Sequence, residues 1–419
     1  MKSIAEIITI DECISKTKEQ FPEFESLMEL VRHCCDNYPE VLEGRKMGKE
    51  VLYPDGKYNY VHEIYQKTPS YGKAESYSAI YAEMLKAIAS EKKGKLRIIE
   101  LGGGSGIVTW KALKALEGSD YEYWFTDIGN TFLYQARKRI EDEKIPNVIV
   151  KRADITKRFF EQDIPECYFD IVVSCGVIQS VEDMGKAIDN MRYALRPDGV
   201  LSLLQPVGTH HIREFFGGLT PEWWSYRNDP LRKADYNISA DAWRFLLREK
   251  GFSKQTVLCG DDRHLTDSII IMGQLDPSVR KQLFNDLRTR SASAEIIQID
   301  SFIGDSFSKL CNKCENDGIE MLCPDNIVIK EKKKEIQENK SVKQSETETR
   351  VVDTLENILG TKINSIDDSL YDYDVDSLTA LMFVSRLNEM FGININPREL
   401  FYCSSIRNIA DLIDNKINE

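Results

Sequence analysis

The sequence predicts an α/β domain with a mostly parallel sheet, a helical cap before it and an all-α bundle after it. Between residues 96 and 275, short apolar runs alternate with helical segments, as they do in βαβ units. Before and after this region, apolar residues recur at the spacing of amphipathic helices. The stretch 330–349 contains one Ile, one Val and no aromatic residue, so it separates two folded units.

These patterns divide the chain into five segments. We expect a cap or lid subdomain at 1–95, an α/β core at 96–275, an α/β extension without an assigned role at 276–329, a flexible linker at 330–350 and a helical bundle at 351–419. A solvated charged helix is the alternative for the linker. The bundle holds twelve acidic and five basic residues, so it supplies −7 of the net charge of −13 and suits basic partner surfaces.

Composition excludes several classes of function. The 419 residues carry 55 basic and 68 acidic side chains, which disfavours nucleic acid as a partner. No run approaches the roughly 20 apolar residues that cross a membrane, and the start has no cleavage site of a signal peptide. The ten cysteines lack the dense framework of a secreted domain. We therefore expect reduced thiols and a cytoplasmic location.

The elements of the core follow in order along the chain. Strands are predicted at 96–101, 121–126, 148–151, 169–174 and 200–204, with helices at 107–116, 130–143 and 183–195 between them. Residues 196–199, Arg-Pro-Asp-Gly, are predicted as a turn. Two further strands at 255–259 and 268–272 would form an antiparallel edge.

The pattern is weaker from 275 to 329. It indicates a helix at 279–288, a strand at 296–299, a helix through Cys311 and a strand at 326–329. Cys311 and Cys314 have CxxC spacing, but no second close Cys or His pair completes four ligands. We expect them to pack in a helix and predict no metal site.

A glycine-rich turn is the first candidate binding site. The segment ELGGGSG at 100–106 ends the first strand and opens a helix, with Gly102, Gly104 and Gly106 in GxGxG spacing. Such glycines let the backbone approach a ligand at a helix N-terminus. Asp127 ends the second strand, where a carboxylate can accept both hydroxyls of a ribose, and Asp154 follows the third, where it could meet an adenine edge. A dinucleotide-binding enzyme would have similar glycines and the same acid.

Several motifs taken together indicate a family more specifically than the glycine turn does alone. The glycine motif, FTD at 125–127, RAD at 152–154, DIVVSC at 170–175 and LRPDG at 195–199 resemble class I S-adenosylmethionine-dependent methyltransferases, with a Rossmann-like fold. EVLYP at 50–54, HEIYQ at 62–66 and FGGLTPEWW at 216–224 resemble the methyltransferase domains embedded in polyketide synthases. The resemblance covers roughly residues 20–275. It implies that S-adenosylmethionine binds at the site residues Glu100, Gly102, Gly104, Gly106, Asp127 and Asp154.

The chain departs from that family at the expected catalytic dyad. Carbon-methylating members carry a His after the fourth strand and a Glu at the end of the fifth, where this chain has Gln179 and Gln205. Glutamine donates and accepts hydrogen bonds, but it is not a general base near neutral pH. His210 and His211 follow the fifth strand and are candidate substitute bases; a role in solvating the loop is the alternative.

Three functions stay open for such a site. The glutamines could orient an oxygen for O-methylation, which the loss of both dyad members slightly favours. Carbon methylation could persist, because the α-proton of a β-keto thioester is acidic. The domain could instead be an inactive docking and carrier scaffold.

The bundle at 351–419 contains a modification motif. DVDSL at 374–378 begins its second helix, where Ser377 could be a helix cap. In context, this segment and its flanks resemble an acyl carrier protein. The resemblance implies that Ser377 bears 4′-phosphopantetheine, added by a phosphopantetheinyl transferase, and holds a polyketide chain as a thioester.

The two resemblances predict one function together. We expect methyl transfer from S-adenosylmethionine to a polyketide intermediate on the carrier, in concert with other polyketide synthase domains or subunits. A tether of about 20 residues would hold the thioester at roughly millimolar effective concentration.

Overall fold

The computed structural model describes most of the chain. The described residues are 9–54, 69–207, 211–229, 231–232, 236–258, 268–276, 295–298, 327–330, 345–373 and 375–418. Among these residues, every helix is too short or too polar to traverse a lipid bilayer.

A seven-stranded sheet forms the centre of the larger domain, as the sequence predicts. Its strands are β1 (Leu96–Leu101), β2 (Tyr121–Asp127), β3 (Val148–Arg152), β4 (Phe169–Cys175), β5 (Leu195–Pro206), β6 (Lys254–Leu258) and β7 (Ser268–Gln274). The spatial order is β3-β2-β1-β4-β5-β7-β6. The first five strands pair in parallel, and β7 pairs antiparallel with both β5 and β6. The order reverses between β1 and β4, which is where open α/β sheets bind ligands.

Helices cover the sheet because its central strands are apolar on both faces. In β1, every residue except Arg97 is buried. The helices are α1 (Ile10–Gln20), α2 (Glu25–Leu42), α3 (Gly48–Leu52), α4 (Pro69–Glu91), α5 (Thr109–Ala115), α6 (Asn130–Asp142), α7 (Met184–Ala194), α8 (His211–Gly217) and α9 (Ala240–Glu249). One core lies under α4 and α5, and another under α7 and α9.

The predicted turn at 196–199 is wrong, because these residues belong to β5. Phe169 pairs with Leu195 and Ile171 pairs with Val200, so four residues of β5 face Asp170 alone. The Arg196 guanidinium binds the Asp170 carboxylate at 2.8 Å, which gives this excursion a fixed partner. The strand is therefore longer than the apolar run that predicts it.

The region before the sheet contains the predicted cap helices. Leu27, Leu30 and Cys34 on α2 form a buried cluster with Val51 of α3 and Leu219. Because Leu219 follows β5 in the chain, this cluster attaches the cap to the mouth of the sheet. His62 lies outside the described residues.

Little of the extension after the sheet is described. Strands β8 (Glu295–Gln298) and β9 (Ile327–Lys330) pair antiparallel, in agreement with the two predicted strands. The predicted helix at 279–288 and the pair Cys311 and Cys314 lie outside the described residues.

The C-terminal bundle has four helices around its own core. They are α10 (Glu346–Leu359), α11 (Ser377–Phe391), α12 (Pro397–Tyr402) and α13 (Ile406–Asn418). The predicted start at 351 is five residues late. Ser345 accepts a hydrogen bond from Glu348 N–H, and the Glu348 side chain accepts one from Ser345 N–H, so a capping box starts the helix within the predicted linker.

Candidate active site and carrier domain

The glycine loop turns sharply at the carboxyl end of β1. Gly102, Gly104 and Gly106 have φ angles of +73°, +53° and +81°, which side chains other than glycine adopt at a cost. A Cβ at Gly106 would collide with the Trp110 ring, so this glycine is required for packing. A Cβ at Gly104 would meet no described atom nearer than the Phe132 ring, at 3.8 Å. Gly104 therefore exposes its backbone to open space, as a close ligand contact requires.

The Asp127 carboxylate lies beside this loop. It accepts hydrogen bonds from Gly104 N–H at 2.9 Å and from Gly129 N–H at 2.8 Å. Burial raises the pKa of Asp127 to about 6, and the nearby Asp376 carboxylate adds to the rise, whereas the backbone donors oppose it. Each oxygen keeps a lone pair for a further donor, so the carboxylate can still accept ribose hydroxyls.

Glu100 occupies a different position from the other predicted binding residues. Its side chain is buried and accepts hydrogen bonds from the Thr109 hydroxyl at 2.5 Å and the Tyr123 hydroxyl at 2.8 Å. Burial raises its pKa to about 7, against those two donors. These contacts are within the protein, so Glu100 supports the glycine loop from the core.

The Asp154 side chain is already engaged. It accepts from Thr156 N–H at 2.9 Å and from the Thr156 hydroxyl at 2.6 Å, and it lies 3.6 Å from the Lys157 ammonium. Burial raises its pKa, but the Thr156 donors and Lys157 outweigh burial and hold the pKa below its usual value. An ionised acceptor is thus available at the end of β3.

The two glutamines occupy the ends of adjacent parallel strands. Gln179 follows β4 and is 5% exposed, and Gln205 is on β5 and fully buried. Gly176 N–H donates to Leu204 O, which brings the two strand ends together. Gln179 Oε1 and both amide atoms of Gln205 have no hydrogen-bond partner among the described residues. Buried amides of this kind are costly unless a ligand pairs with them.

The structure does not show where the side chains of the two predicted bases lie. His210 lies outside the described residues, and His211 is the first residue of α8, with its side chain outside them. The substitute base stays a prediction. The Trp223 ring stacks on the Tyr236 ring, with 3.9 Å between the ring centroids.

A buried ion pair beneath Gln179 was not predicted. Arg232 and Asp229 are fully buried and bind each other at 3.0 Å. The Arg232 guanidinium also donates to the Gln179 and Val181 carbonyls, so the pair fixes the segment that carries Gln179. The i,i+3 spacing was the available signal, but such spacing is equally common on exposed loops.

Ser377 is the first residue of α11. Asp376 is the N-cap, and its carboxylate accepts a hydrogen bond from Thr379 N–H at 2.8 Å. Because Asp376 supplies the cap, the serine is not needed for that role.

Two family comparisons match the two domains. Residues 99–201 match a methyltransferase domain, and residues 349–413 match a phosphopantetheine attachment site. The chain therefore contains a methyltransferase domain and, after it, a phosphopantetheine attachment domain. The first domain implies S-adenosylmethionine as cofactor, and the second implies 4′-phosphopantetheine.

Curated relatives are polyketide synthases and hybrid synthetases. The hybrid PKS-NRPS synthetase iccA of Talaromyces variabilis is 28% identical over 279 residues, which cover 65% of this chain and 7% of that protein. The polyketide synthase PksR of Bacillus subtilis is 25% identical over 255 residues, 58% of this chain and 10% of that protein. The chain thus spans a tenth or less of the length of these relatives.

Solved structures share the fold of the methyltransferase domain. The CurJ carbon methyltransferase superposes with a TM-score of 0.59 at 20% identity, over 65% of this chain and 72% of that one. The CMeT domain of the citrinin polyketide synthase superposes with a TM-score of 0.57 at 21% identity, over 65% of this chain and 70% of that one. The trans-methyltransferase CalH, in complex with SAH, superposes with a TM-score of 0.52 at 23% identity, over 64% of this chain and 72% of that one.

The carboxyl edge of the sheet fits the cofactor that the domain implies. The open backbone at Gly104, the lone pairs of Asp127, the unpaired Gln179 Oε1 and the unpaired Gln205 amide all lie at or just after the ends of β1, β2, β4 and β5. An adenosyl group needs acceptors for its ribose and a backbone that it can approach closely, and this edge supplies both.

Proposed function

We propose that this chain transfers a methyl group from S-adenosylmethionine to a polyketide intermediate held as a thioester on Ser377. The main support is that the methyltransferase and carrier domains stand in one chain. A substrate tethered by a short linker meets the enzyme at roughly millimolar effective concentration. Gly104 and Asp127 would hold the cofactor, Asp154 would contact its base, and the cofactor would supply an electrophilic methyl group.

We propose carbon as the methylated atom, α to the carbonyl of a β-keto thioester. The related folds named above include carbon methyltransferases, which supports the carbon alternative over the oxygen that the sequence slightly favours. The Gln205 Nε2 group would donate to the enolate oxygen, and such a fixed donor stabilises the charge that develops there. The α-proton would pass to His210 or His211, the methyl–sulfur bond would break and a carbon–carbon bond would form.

Oxygen is the second candidate, because glutamine replaces both members of the dyad of carbon-methylating enzymes. In that case the same amides would orient a β-hydroxyl or an enol oxygen. An inactive scaffold is the third outcome that an assay must separate.

A methylation assay on the full chain distinguishes these functions. Ser377 is loaded with a β-keto or a β-hydroxy acyl pantetheine, S-adenosylmethionine with a deuterated methyl group is added, and the products are fragmented by mass spectrometry. A label on the α-carbon of the β-keto chain is the expected result. A label only on oxygen would replace carbon with the second candidate, and cofactor binding without any label would indicate a scaffold. His210→Ala and His211→Ala then test the base; full activity in both would exclude it.

A further inference from the structure

The carrier domain packs against the methyltransferase domain through helix α6. Helices α10 and α11 of the carrier both contact α6, and α11 also contacts the cap helix α3. Tyr134, on α6, packs against the apolar core of the carrier. One face of α6 therefore lies between the two domains.

An arginine of the carrier binds the tyrosine of this face. Arg386 Nη2 donates a hydrogen bond of 2.6 Å to the Tyr134 hydroxyl, and the guanidinium carbon lies 4.3 Å from the centre of the Tyr134 ring. A guanidinium can form both a hydrogen bond and a cation–π contact with tyrosine, which lysine matches poorly.

An arginine of the methyltransferase domain binds the carrier in return. Arg137 Nη2 donates to Leu359 O, at the C-terminal end of α10, at 3.3 Å. Carbonyls at a helix C-terminus carry partial negative charge, so a cation there is favourable. A Cβ at Gly360 would lie 2.4 Å from the Arg137 guanidinium carbon, so the guanidinium packs directly against the main chain of this glycine.

The contact does not follow from net charge alone. The carrier is acidic, with five basic residues among its last 69, and one of those five, Arg386, makes the contact. A general basic surface would attract any acidic carrier. The contacts at this face are instead made by one guanidinium, Arg386, and by the main chain at Leu359.

We propose that the face of α6 formed by Tyr134 and Arg137 is the recognition surface for the chain's own carrier domain. In the docked arrangement α11, whose first residue is Ser377, contacts both α6 and the cap helix α3, and α6 begins three residues after Asp127 at the end of β2. The influence of Asp376 on the pKa of Asp127 agrees with this placement.

One donor of this interface stays unpaired, which limits the strength of docking. Arg137 Nη1 is buried without a hydrogen-bond partner among the described residues, so docking leaves part of a cation unpaired. Burial lowers the Arg137 pKa, because removing a cation from water disfavours its charged form. A carrier that must also visit other domains needs an interface of this limited strength.

Hydrogen exchange of the full chain tests the surface without cofactor or acyl group. Peptides that cover Asn130–Asp142 should exchange faster in Arg386→Ala, with the docked-to-undocked ratio reduced roughly 5- to 30-fold. Tyr134→Phe keeps the ring and loses the hydroxyl, so its effect should be smaller. Lys138→Ala alters an exposed residue on the same helix and should match the wild-type chain.

Folding of the carrier is checked separately, by the mass gained on treatment with a phosphopantetheinyl transferase. If Arg386→Ala fails that check, Tyr134→Ala removes the contact from the other side and leaves the carrier sequence intact. Wild-type exchange of α6 in a variant with a folded carrier would overturn the proposal. Because no methyl transfer is measured, failure of the proposed function would not affect this result.

Discussion

The backbone N–H of Gly104 donates a hydrogen bond of 2.9 Å to the Asp127 carboxylate. This contact joins the glycine loop after β1 to the end of β2, two motifs that are 23 residues apart. The same carboxylate accepts from Gly129 N–H, so both oxygens are held before any ligand binds. A site held in this way loses little freedom on binding, which favours affinity.

We expect Gly104→Ala to weaken S-adenosylmethionine binding at least about tenfold, the ratio that 1.4 kcal/mol produces. A Cβ there meets open space in the free protein and would stand where the cofactor must approach. The positive φ of +53° adds a strain of about 1–2 kcal/mol. Calorimetric titration measures the affinity, and thermal unfolding measures the strain.

Gly118→Ala is the matched control for that variant. Gly118 also has a positive φ, +81°, and a Cβ there meets no described atom within 4 Å. Both variants should lose similar stability, but Gly118→Ala should bind the cofactor normally. Equal affinities in the two variants would show that Gly104 does not contact the cofactor.

We expect Glu100→Gln to flatten the pH dependence of stability. Burial raises the Glu100 pKa from 4.5 in the unfolded chain to about 7 in the folded one. The unfolded chain therefore ionises first, so stability falls as the pH rises from about 4.5 to 7, by about 3 kcal/mol. Glutamine is neutral throughout and can still accept from the Thr109 and Tyr123 hydroxyls.

Tryptophan fluorescence measures this effect in the methyltransferase domain alone, because all five tryptophans lie between residues 96 and 275. The pKa of Asp127 is also raised, so stability should still depend on pH to some extent in Glu100→Gln. A slope in Glu100→Gln as steep as in the wild-type chain would show that Glu100 does not titrate in this range.

The sequence was sufficient for the sheet because burial dictates its strands. The apolar run 96–101 is β1 without a shift at either end, and the antiparallel edge was predicted from two short apolar runs. The sequence predicts one binding site that includes the glycine loop and Asp127, and the two do make contact, because strand ends meet at one edge of a parallel sheet.

Features that depend on partners distant in sequence were not predictable. The sequence predicts a turn for the four residues of β5 that face Asp170, because Pro and Gly are residues that strongly favour turns. The burial of Arg232 was not predictable, since two of its carbonyl partners, on Gln179 and Val181, are more than 50 residues away. Glu100 read as a ligand residue, because the sequence does not show that Thr109 and Tyr123 face it.

We expect Ser377→Ala to abolish the mass gained on treatment with a phosphopantetheinyl transferase. Asp376 caps α11 independently of the serine, so the variant should fold. Ser345→Ala is the control, because it removes the cap of α10, at a cost of about 1 kcal/mol, and leaves the attachment site. Intact-protein mass spectrometry reads both variants; an undiminished gain in Ser377→Ala would move the attachment to another residue.

Gln205→Met should make the protein more stable and less active. Both amide atoms of Gln205 are buried without a partner among the described residues, and each unpaired buried group costs about 1–3 kcal/mol. Methionine fills a similar volume and has no such group, so the unfolding temperature should rise. If the amide holds the enolate oxygen, its loss should slow methyl transfer by about 10²–10³, as removal of an oxyanion-stabilising donor does.

A glutamine whose amide is hydrogen-bonded should show the opposite change in unfolding temperature. Gln162 accepts from Asp154 N–H and donates to the carbonyls of Asp154 and Lys157. Gln162→Met should therefore lower the unfolding temperature, because it removes hydrogen bonds to part-buried groups. A Gln205→Met protein that is more stable and as fast as the wild-type chain would show that the amide does not contact the reacting acyl group. The stability of the free protein and the rate of methyl transfer thus separate a binding amide from one that merely fills space.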